Sequence, residues 1–245
     1  MKRFLRQLRD ATIMSLRQVM RELGLLIAFG IVFPLGFLFF LGQIVRHDLL
    51  IQVVAGSIML EMGLVNINVI AQSIGGDKQT KIYDLWVSLP MNPTVYVLSL
   101  ALSLLPMTFF SAAITLIAGI SLFHLSIPFT LLPALFGGFL LIWASTLGIG
   151  FLIGVYGGSP RQINQIAQFV GVVMTFFAPI FYPVSVLPPV AQYVAYLWPL
   201  TWGASLLSAV LSSSYAAIAL ASIVLAGFTG LWFVLIAVGL RWRQV

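Results

Sequence analysis

The sequence predicts an all-α polytopic membrane protein with six transmembrane helices. Of the 245 residues, 61% are hydrophobic and only 7% are charged, whereas a soluble domain carries about 25% charged residues. No charged residue occurs between Asp84 and Arg161, or between Arg161 and Arg241. Each of these gaps is long enough for at least two spans of about 20 residues. The chain therefore has the composition of a protein that lies in lipid.

The basic residues predict the orientation of these spans. The net charge of +6 does not indicate nucleic-acid binding, because the basic residues flank the apolar runs as topology determinants do. Six spans put both termini on one side, and a cytoplasmic location for them leaves only Arg46 of the 12 basic residues outside. We therefore expect a multi-pass plasma (inner) membrane protein with cytoplasmic termini. The long basic leader does not fit a cleavable signal peptide.

An amphipathic helix is predicted over residues 2–22. Its apolar face carries Leu5, Leu8, Thr12, Leu16, Val19 and Leu23, and the opposite face carries Arg3, Arg6, Asp10, Arg17 and Arg21. A basic amphipathic helix beside a span typically lies in the headgroup plane. The alternative is a solvated basic leader.

The apolar runs predict spans over residues 23–45, 49–74, 93–123, 128–156, 163–181 and 216–240. Residues 185–215 are apolar enough for a seventh crossing. A single extra crossing would place Arg241 and Arg243 on the outside, so a re-entrant excursion is favoured.

Four prolines occur at and just beyond the end of the fifth predicted span, in the stretch FFAPIFYPVSVLPP. They are expected to end the helix near the outer surface, because proline removes a helix hydrogen bond and clashes with the preceding turn. Non-helical backbone at membrane depth must be covered by protein or water. The chain would then dip back as one or two short helices that bear Tyr193, Tyr196, Trp198 and Trp202. This segment is either a lid on a pathway or an apolar extracellular loop.

No catalytic or metal-binding pattern is present in the sequence. There is no phosphate-binding Gly-x-x-x-x-Gly-Lys-Ser/Thr loop, so we do not expect this chain to hydrolyse ATP. His47 and His124 lack acidic companions at metal-ligand spacing, and the absence of cysteine excludes disulfides. Glu61 is the one ionisable residue that the sequence places at membrane depth.

Two predicted spans carry a polar stripe. On the second span, an arc about 60° wide contains Ser57, Glu61, Asn68 and Gln72. On the fifth, an arc about 100° wide contains Arg161, Asn164, Gln165, Gln168 and Thr175. Such stripes face a cavity or another helix rather than lipid. These stripes indicate either a shared pathway for neutral or amphipathic substrates, or hydrogen bonds between helices. Asn66 lies on the side of the second span opposite its stripe and suits the second role.

The segment DKQTKIYDLWVSLP, residues 77–90, predicts a short amphipathic helix on the cytoplasmic surface. Its apolar face carries Ile82, Leu85, Trp86 and Leu89 at helical spacing. The other face carries Lys78, Lys81 and Asp84, with Asp77 four residues before Lys81 in a favourable pairing, and Pro90 ends the helix. This helix either binds a partner or anchors the chain at the interface.

At these residues the chain resembles the ABC-2 type transporter permeases, the membrane subunits of type V ABC exporters. Asp84, Ser88 and Pro90 match the acidic residue and the Ser-Leu-Pro ending of that family's coupling helix, although Lys81-Ile82 replaces its frequent Gly-Thr or Gly-Val pair. Residues 176–202 resemble the family's extracellular re-entrant element through Pro183, Leu187, Pro188 and Pro199-Leu200-Thr201. The resemblance covers residues 1–245 as a single domain.

The resemblance implies a half-transporter in which two permeases, identical or closely homologous, bind two ABC ATPase subunits that hold ATP and Mg. It implies coupling through Asp77, Lys78, Lys81, Asp84, Leu85, Trp86 and Pro90. The two polar stripes supply the candidate pathway residues, which are Ser57, Glu61, Asn68, Gln72, Asn164, Gln165, Gln168 and Thr175. The resemblance implies an extracellular gate at Phe177, Phe181, Tyr182, Pro183, Pro188, Trp198 and Trp202.

The expected activity is export of a drug-like or lipid-like amphipath from the cytoplasm or inner leaflet. Export of a lipid-linked polysaccharide by the same architecture is the first alternative. An ATPase-independent secondary transporter is the second, and it would require ion-binding charges or paired broken helices at the midplane.

Overall fold

The computed structural model describes residues 2–21, 24, 27–88 and 93–239, which form helices and short connections without a β-strand. We number the helices α1 (Lys2–Arg21), α2 (Phe33–Ile44), α3 (Leu50–Gln79), α4 (Ile82–Ser88), α5 (Pro93–Phe123), α6 (Leu132–Tyr156), α7 (Pro160–Phe177), α8 (Pro189–Tyr196), α9 (Pro199–Leu211) and α10 (Tyr215–Gly239). A π-helical turn, Ala28–Val32, leads directly into α2. Short 3₁₀ turns occur at His47–Leu49, Phe129–Leu131 and Val184–Val186.

Four stretches of the described chain are long and apolar enough to cross a membrane: His47–Gln79, Thr94–Phe123, Phe129–Tyr156 and Tyr215–Ile236. Helices α8 and α9 would together supply a fifth, but they meet at 91°. The first predicted span appears as a shorter apolar helix, Gly30–Ile44, and α7 is not among the span-length helices. An all-helical membrane architecture with four to five candidate spans is thus confirmed, and the count of six stays a prediction.

Helix α3 lies at the centre of the bundle, and 83% of its most apolar stretch is buried. It packs against α2, α5, α6, α7 and α9. Gly150 and Gly154 of α6 lie directly against Ile67, Ile70 and Ile74 of α3, with no room for a Cβ atom at either glycine. Small residues let membrane helices approach closely. By contrast, only 11% of the most apolar stretch of α10 is buried, so this helix lies at the periphery.

Helix α1 packs on α5 through a face that differs from its predicted apolar face. The buried side chains are Ala11, Ser15 and Val19, whereas Leu5, which belongs to the predicted apolar face, is 57% exposed. The contact face is rotated by about 60° from the predicted apolar face. The small side chains Ala11 and Ser15 allow the close contact with α5, which leaves Leu5 pointing away from it. Leu23 lies outside the described residues.

The predicted fifth span ends early, at Phe177 instead of residue 181. Ala178 is extended, with φ −81° and ψ 121°, because the residue before a proline is disfavoured in the α region. The helix begins with a capping box, in which the Ser159 side chain accepts from the Gln162 amide and the Gln162 side chain accepts from the Ser159 amide. Pro160 at the first turn fits this start, since its missing N–H would be unpaired there in any case.

Candidate functional site

The predicted coupling segment is divided between two helices. Helix α3 continues to Gln79, five residues beyond the predicted end of the second span, so Asp77 and Lys78 belong to its last turn. Lys81 follows in a turn with φ 60°, and α4 begins at Ile82. The predicted single helix over residues 77–90 is therefore wrong, and so is the helical pairing of Asp77 with Lys81. Pro90 lies outside the described residues.

Asp77 and Lys78 point into the bundle. The Tyr96 hydroxyl donates a 2.9 Å hydrogen bond to Oδ2 of Asp77, which is buried. The Lys78 Nζ donates to the carbonyl oxygens of Val155 and Gly157 at 2.9 Å and 3.1 Å. These carbonyls lie at the carboxyl end of α6, where a cation is favoured by the helix dipole. The two side chains fasten the end of α3 to α5 and α6.

Helix α4 is anchored by aromatic side chains. Tyr83 and Trp86 pack against the Tyr96 ring, with centroid separations of 5.9 Å and 5.7 Å. Ile82 and Leu85, which were predicted on the same buried face as Trp86, are 41% and 59% exposed. The helix is rotated because the Tyr96 ring offers an edge-to-face and tilted contact that aromatic side chains prefer.

The outward surface of α4 is mixed in character. Asp84 and Ser88 are exposed beside Ile82 and Leu85. The Ser88 hydroxyl donates to the Leu85 carbonyl at 2.8 Å, near the end of the helix. Helix α4 thus presents apolar side chains next to a carboxylate on its outward surface. Of the predicted coupling residues, Lys81, Asp84 and Leu85 face outward, whereas Trp86 faces the bundle.

The anchoring tyrosine of α4 stays neutral at physiological pH. Burial raises the pKa of the Tyr83 hydroxyl, and the neighbouring Asp84 carboxylate raises it further. The Lys78 Nζ lies 5.6 Å from the centre of the Tyr83 ring, within the range of a cation–π contact. The ring contacts of Tyr83 therefore do not depend on ionisation of its hydroxyl near neutral pH.

The polar stripe of α3 runs from the surface into the core. Gln72 is exposed, Asn68 is half-buried, and Glu61 and Ser57 are buried. The structure therefore does not expose the four side chains along one open wall. Helix α7 contacts this stripe at Asn68, whose side-chain amide lies directly against Gly171.

The hydrogen bonds of this stripe are largely local. The Ser57 hydroxyl donates to the Val53 carbonyl at 2.9 Å, and the Asn68 amide donates to the Leu64 carbonyl at 2.8 Å. Such bonds to the preceding turn satisfy a hydroxyl or amide donor inside its own helix. Asn68 Oδ1 has no hydrogen-bond partner among the described residues.

The polar face of α7 points out of the bundle. Asn164, Gln165 and Gln168 are exposed, and the Gln168 amide donates to Asn164 Oδ1 at 3.1 Å. Thr175 is half-buried and donates to the Gly171 carbonyl at 2.8 Å. The same exposed surface also carries large apolar side chains, namely Ile166, Phe169, Val172, Phe176 and Phe177. Helix α7 thus presents a mixed amide and phenyl surface.

The proline-rich segment packs on the first half of α3. Phe181 stacks on Phe37 of α2, with ring centroids 5.7 Å apart and planes inclined at 19°. Tyr182 and Pro183 are half-buried and precede the turn Val184–Val186, and Pro188 is exposed at the start of α8. Phe177, the remaining predicted gate residue before this turn, is exposed.

The two tryptophans of this element lie at the bend between α8 and α9. Trp198 immediately precedes α9 and is half-buried. The Trp202 Nε1 donates to the Tyr196 carbonyl at 2.9 Å, and the two rings lie 5.3 Å apart. The Thr201 hydroxyl donates to the Ala195 carbonyl at 2.6 Å. These bonds hold the bend by linking the start of α9 back to α8.

The distance that residues 180–208 reach into the bundle can be measured from their contacts along α3. The Gln52 side chain donates to the Ile180 carbonyl at 3.3 Å and accepts from the Ser208 hydroxyl at 2.8 Å. Between these two contacts, Leu200 packs on Gly63. Gln52 and Gly63 are eleven residues apart in α3, which corresponds to about 16 Å along the helix axis. The chain thus moves from the level of Gln52 to that of Gly63 and back.

A buried hydroxyl row on α5 was missed by the sequence interpretation. Thr108 donates to Asn66 Oδ1 at 3.0 Å, and the Asn66 amide donates to the Thr146 hydroxyl of α6 at 3.1 Å. Ser111 and Thr115 follow on α5 and are buried. The sequence could have predicted this row, because Thr108, Ser111 and Thr115 fall within an arc of about 60° on one side of α5. The bond from Asn66 agrees with its predicted structural role.

Comparison with known proteins identifies the family. A model of the ABC-2 type transporter matches residues 1–212, which extend to the end of α9. The chain belongs to the ABC-2 type transporter family. No curated protein matches the sequence significantly. As an ABC-2 family member, the chain is a multi-pass membrane protein and a permease subunit of an ABC-type transporter, and its family implies an ABC ATPase subunit as partner.

Proposed function

We propose that this permease is one half of an ATP-driven exporter, in which two copies face each other above two ABC ATPase subunits. The exposed amide face of α7 carries the proposal. Amide side chains do not face hydrocarbon stably and mark a pathway or a protein contact. A second copy opposite α7 would cover Asn164, Gln165 and Gln168 and leave a polar passage between the subunits.

In this proposal the chain crosses the plasma membrane six times, with α2 and α7 completing the count and both termini in the cytoplasm. Helices α8 and α9 form an extracellular re-entrant element over residues 185–215. The excursion from the level of Gln52 to that of Gly63 supports it, since a loop confined to one surface would not reach Gly63. The gate would be formed where Phe181, Trp198 and Trp202 meet the first half of α3.

Helix α1 serves as the interface helix. Its exposed side carries Leu5, Met20 and Ile13 together with Arg6, Arg9 and Arg17. A helix with one face on protein and a second mixed apolar and basic face suits the boundary between acyl chains and anionic headgroups. The packing of α1 on α5 holds it against the bundle.

Helix α4 serves as the coupling helix. Its exposed Ile82, Asp84 and Leu85 would dock on the ATPase, which binds the ATP and Mg, and this chain itself performs no catalysis. Tyr83 and Trp86 would carry the resulting movement to Tyr96, and Lys78 would carry it to α6. The ATPase must contact α4 differently in its two nucleotide states, because a ligand shifts a conformation only through a difference in interaction.

The proposed substrate is a drug-like or lipid-like amphipath, exported from the cytoplasm or inner leaflet. The mixture of amides with Phe169, Phe176 and Phe177 on α7 supports this class, since it offers hydrogen bonds and apolar surface without a charge. A lipid-linked polysaccharide is the alternative cargo, and it would be expected to stack on aromatic rings.

The experiment is reconstitution of the permease with its ATPase in proteoliposomes. We expect a fluorescent phospholipid or an amphipathic dye to stimulate ATP hydrolysis and to be transported only when ATP is present. A lipid-linked glycan that alone stimulates hydrolysis would favour the alternative cargo. Transport that persists without any ATPase subunit would contradict the proposal and favour a secondary transporter.

A further inference from the structure

One backbone carbonyl group of the proline-rich segment lies in the core outside any helix. Helix α7 ends at Phe177, so the carbonyl of Ile180, three residues later, has no partner in a helical turn. Ile180 is 1% exposed, and a buried carbonyl group without a hydrogen bond is costly. Gln52 Nε2 donates to this oxygen at 3.3 Å, and it is the one donor to it among the described residues. Gln52 therefore satisfies a backbone group that lipid could not satisfy.

The other end of the same amide binds α9. The Ser208 hydroxyl donates to Gln52 Oε1 at 2.8 Å. The partners fix the orientation of the amide, because the Ile180 carbonyl can only accept and must face the NH₂ group, whereas a hydroxyl can donate to the remaining oxygen. One side chain of α3 thus holds the chain where it enters the excursion, at Ile180, and where it returns, at Ser208.

Gly56 completes the contact of this segment with α3. It lies one turn after Gln52 on the same face of the helix. A Cβ atom at Gly56 would lie 2.5 Å from the Ile180 carbonyl oxygen and 2.5 Å from Cδ1 of Phe181. A larger residue at this position would therefore push the segment away from α3. Gln52 and Gly56 together form a seat in which the backbone of Ile180 and Phe181 rests.

The polar part of this seat differs from its apolar part in what can replace it. Phe181 also stacks on Phe37, but lipid tails are as apolar as the side chains they would replace, so such contacts have no hydrophobic driving force in a membrane. The two hydrogen bonds of Gln52 have no substitute in lipid. They can be given up only when water or another polar group reaches the Ile180 carbonyl.

We propose that Gln52 is the positioning residue that keeps the gate closed on α3, and that the gate opens when Ile180 and Ser208 leave its amide. The inference rests on the proposed function, because it takes the proline-rich segment and α9 as parts of the extracellular gate. It adds the group that holds them. Since one amide makes both bonds, a displacement of Gln52 releases both segments together.

The test uses a buried reporter thiol in the full permease in nanodiscs, without ATPase or substrate. Ala178 is 1% exposed and lies between α7 and Pro179, and the native chain has no cysteine. In Ala178→Cys, we expect Gln52→Met to accelerate maleimide labelling at least about tenfold, which corresponds to about 1.4 kcal/mol. Methionine keeps the length of the side chain and removes the amide. Gln79→Met, at the exposed end of α3, is the matched control and should leave the rate unchanged.

A second variant opens the seat by volume instead of by loss of the amide. Gly56→Ala should also accelerate labelling of Ala178→Cys, because its Cβ atom displaces the Ile180 carbonyl. Gly76→Ala is the control in the same helix, since a Cβ atom there has no neighbour within 4 Å. If neither Gln52→Met nor Gly56→Ala accelerates the labelling, the proposal is wrong.

A second reporter separates release of the segment from general loosening of the bundle. Ala167 of α7 is 0% exposed and packs with Ala71 and Ile163, away from the seat. The labelling rate of Ala167→Cys should be the same with Gln52→Met as with the native glutamine. Equal acceleration at positions 167 and 178 would overturn the proposal, because Gln52 would then stabilise the whole bundle and not the gate.

The last measurement adds the ATPase subunit and a non-hydrolysable ATP analogue. With native Gln52, we expect the analogue to accelerate labelling of Ala178→Cys. The first measurements involve no ATPase, so a failure there contradicts the role of Gln52. If they succeed and the nucleotide has no effect, the ATP-driven opening of the proposed function is contradicted instead.

Discussion

Lys78 donates a 2.9 Å hydrogen bond from its Nζ to the carbonyl oxygen of Val155. A second bond of 3.1 Å reaches the Gly157 carbonyl, so one ammonium group binds the carboxyl end of α6 from the last turn of α3. The next helix, α7, begins only three residues after Gly157. The ends of α3 and α6 and the start of α7 are therefore held together beside α4.

We predict that Lys78→Met destabilises the permease by roughly 1.5–3 kcal/mol, the usual contribution of hydrogen bonds to a charged group. Methionine keeps an apolar stem but leaves both carbonyl oxygens without the ammonium donor. The midpoint of thermal unfolding in detergent measures the effect. Lys81→Met is the matched control and should be neutral to within about 0.5 kcal/mol, because an exposed side chain contributes little. Equal losses in the two variants would show that the bonds do not stabilise the bundle.

We predict that Asp84→Lys abolishes retention of the ATPase while the permease stays folded. Reversing a charge in a docked interface costs several kcal/mol, and each 1.4 kcal/mol lowers affinity about tenfold. Co-purification of a tagged permease with its ATPase measures the retention. Asp48→Lys is the control, since Asp48 is an exposed carboxylate near the opposite end of α3. Unchanged retention in Asp84→Lys would remove α4 from the interface.

We predict that single cysteines label from opposite sides of the membrane. The native chain contains no cysteine, so Ser88→Cys and Ser213→Cys each introduce one thiol, and both positions are exposed. A membrane-impermeant maleimide should label Cys at position 213 in intact cells and at position 88 only after permeabilisation. Labelling of both positions from the same side would contradict the six-span topology.

We predict that α7 lies at the contact between two copies. A cysteine in place of Gln168 should form a disulfide-linked dimer under mild oxidation in membranes, because two facing copies bring identical positions together across a two-fold axis. Ile223→Cys is the control, since Ile223 is 70% exposed on the peripheral helix α10. If Ile223→Cys dimerises and Gln168→Cys does not, the proposed orientation of the two copies is wrong.

Elements set by local chemistry were predicted well from the sequence. The apolar runs predicted helices close to those observed, because a backbone in lipid must satisfy its own hydrogen bonds. Pro179 predicted the end of α7 to within a few residues, and the short helices expected after it correspond to α8 and α9, which meet at 91°. The residues of the coupling and proline-rich segments indicated the ABC-2 family, which the match over residues 1–212 confirms.

The direction in which each helical face points was predicted less well. Periodicity placed Leu5 on the apolar face of α1, and Ile82 and Leu85 on the apolar face of α4, and all three are exposed in the structure. The stripe of α3 was assigned correctly to one arc, yet its burial changes along the helix from Gln72 to Glu61.

The sequence by itself determined the membrane class, the helical fold and the family, because these follow from composition, proline positions and local motifs. Only the tertiary structure decided which side chains meet: Lys78 with the end of α6, Asp77 with Tyr96, and Thr108 with Asn66. The physical reason is that helical periodicity specifies an angle around one axis. Which partner a side chain meets at that angle depends on the neighbouring helices. How closely these helices approach depends on the volumes of side chains that are distant in the sequence.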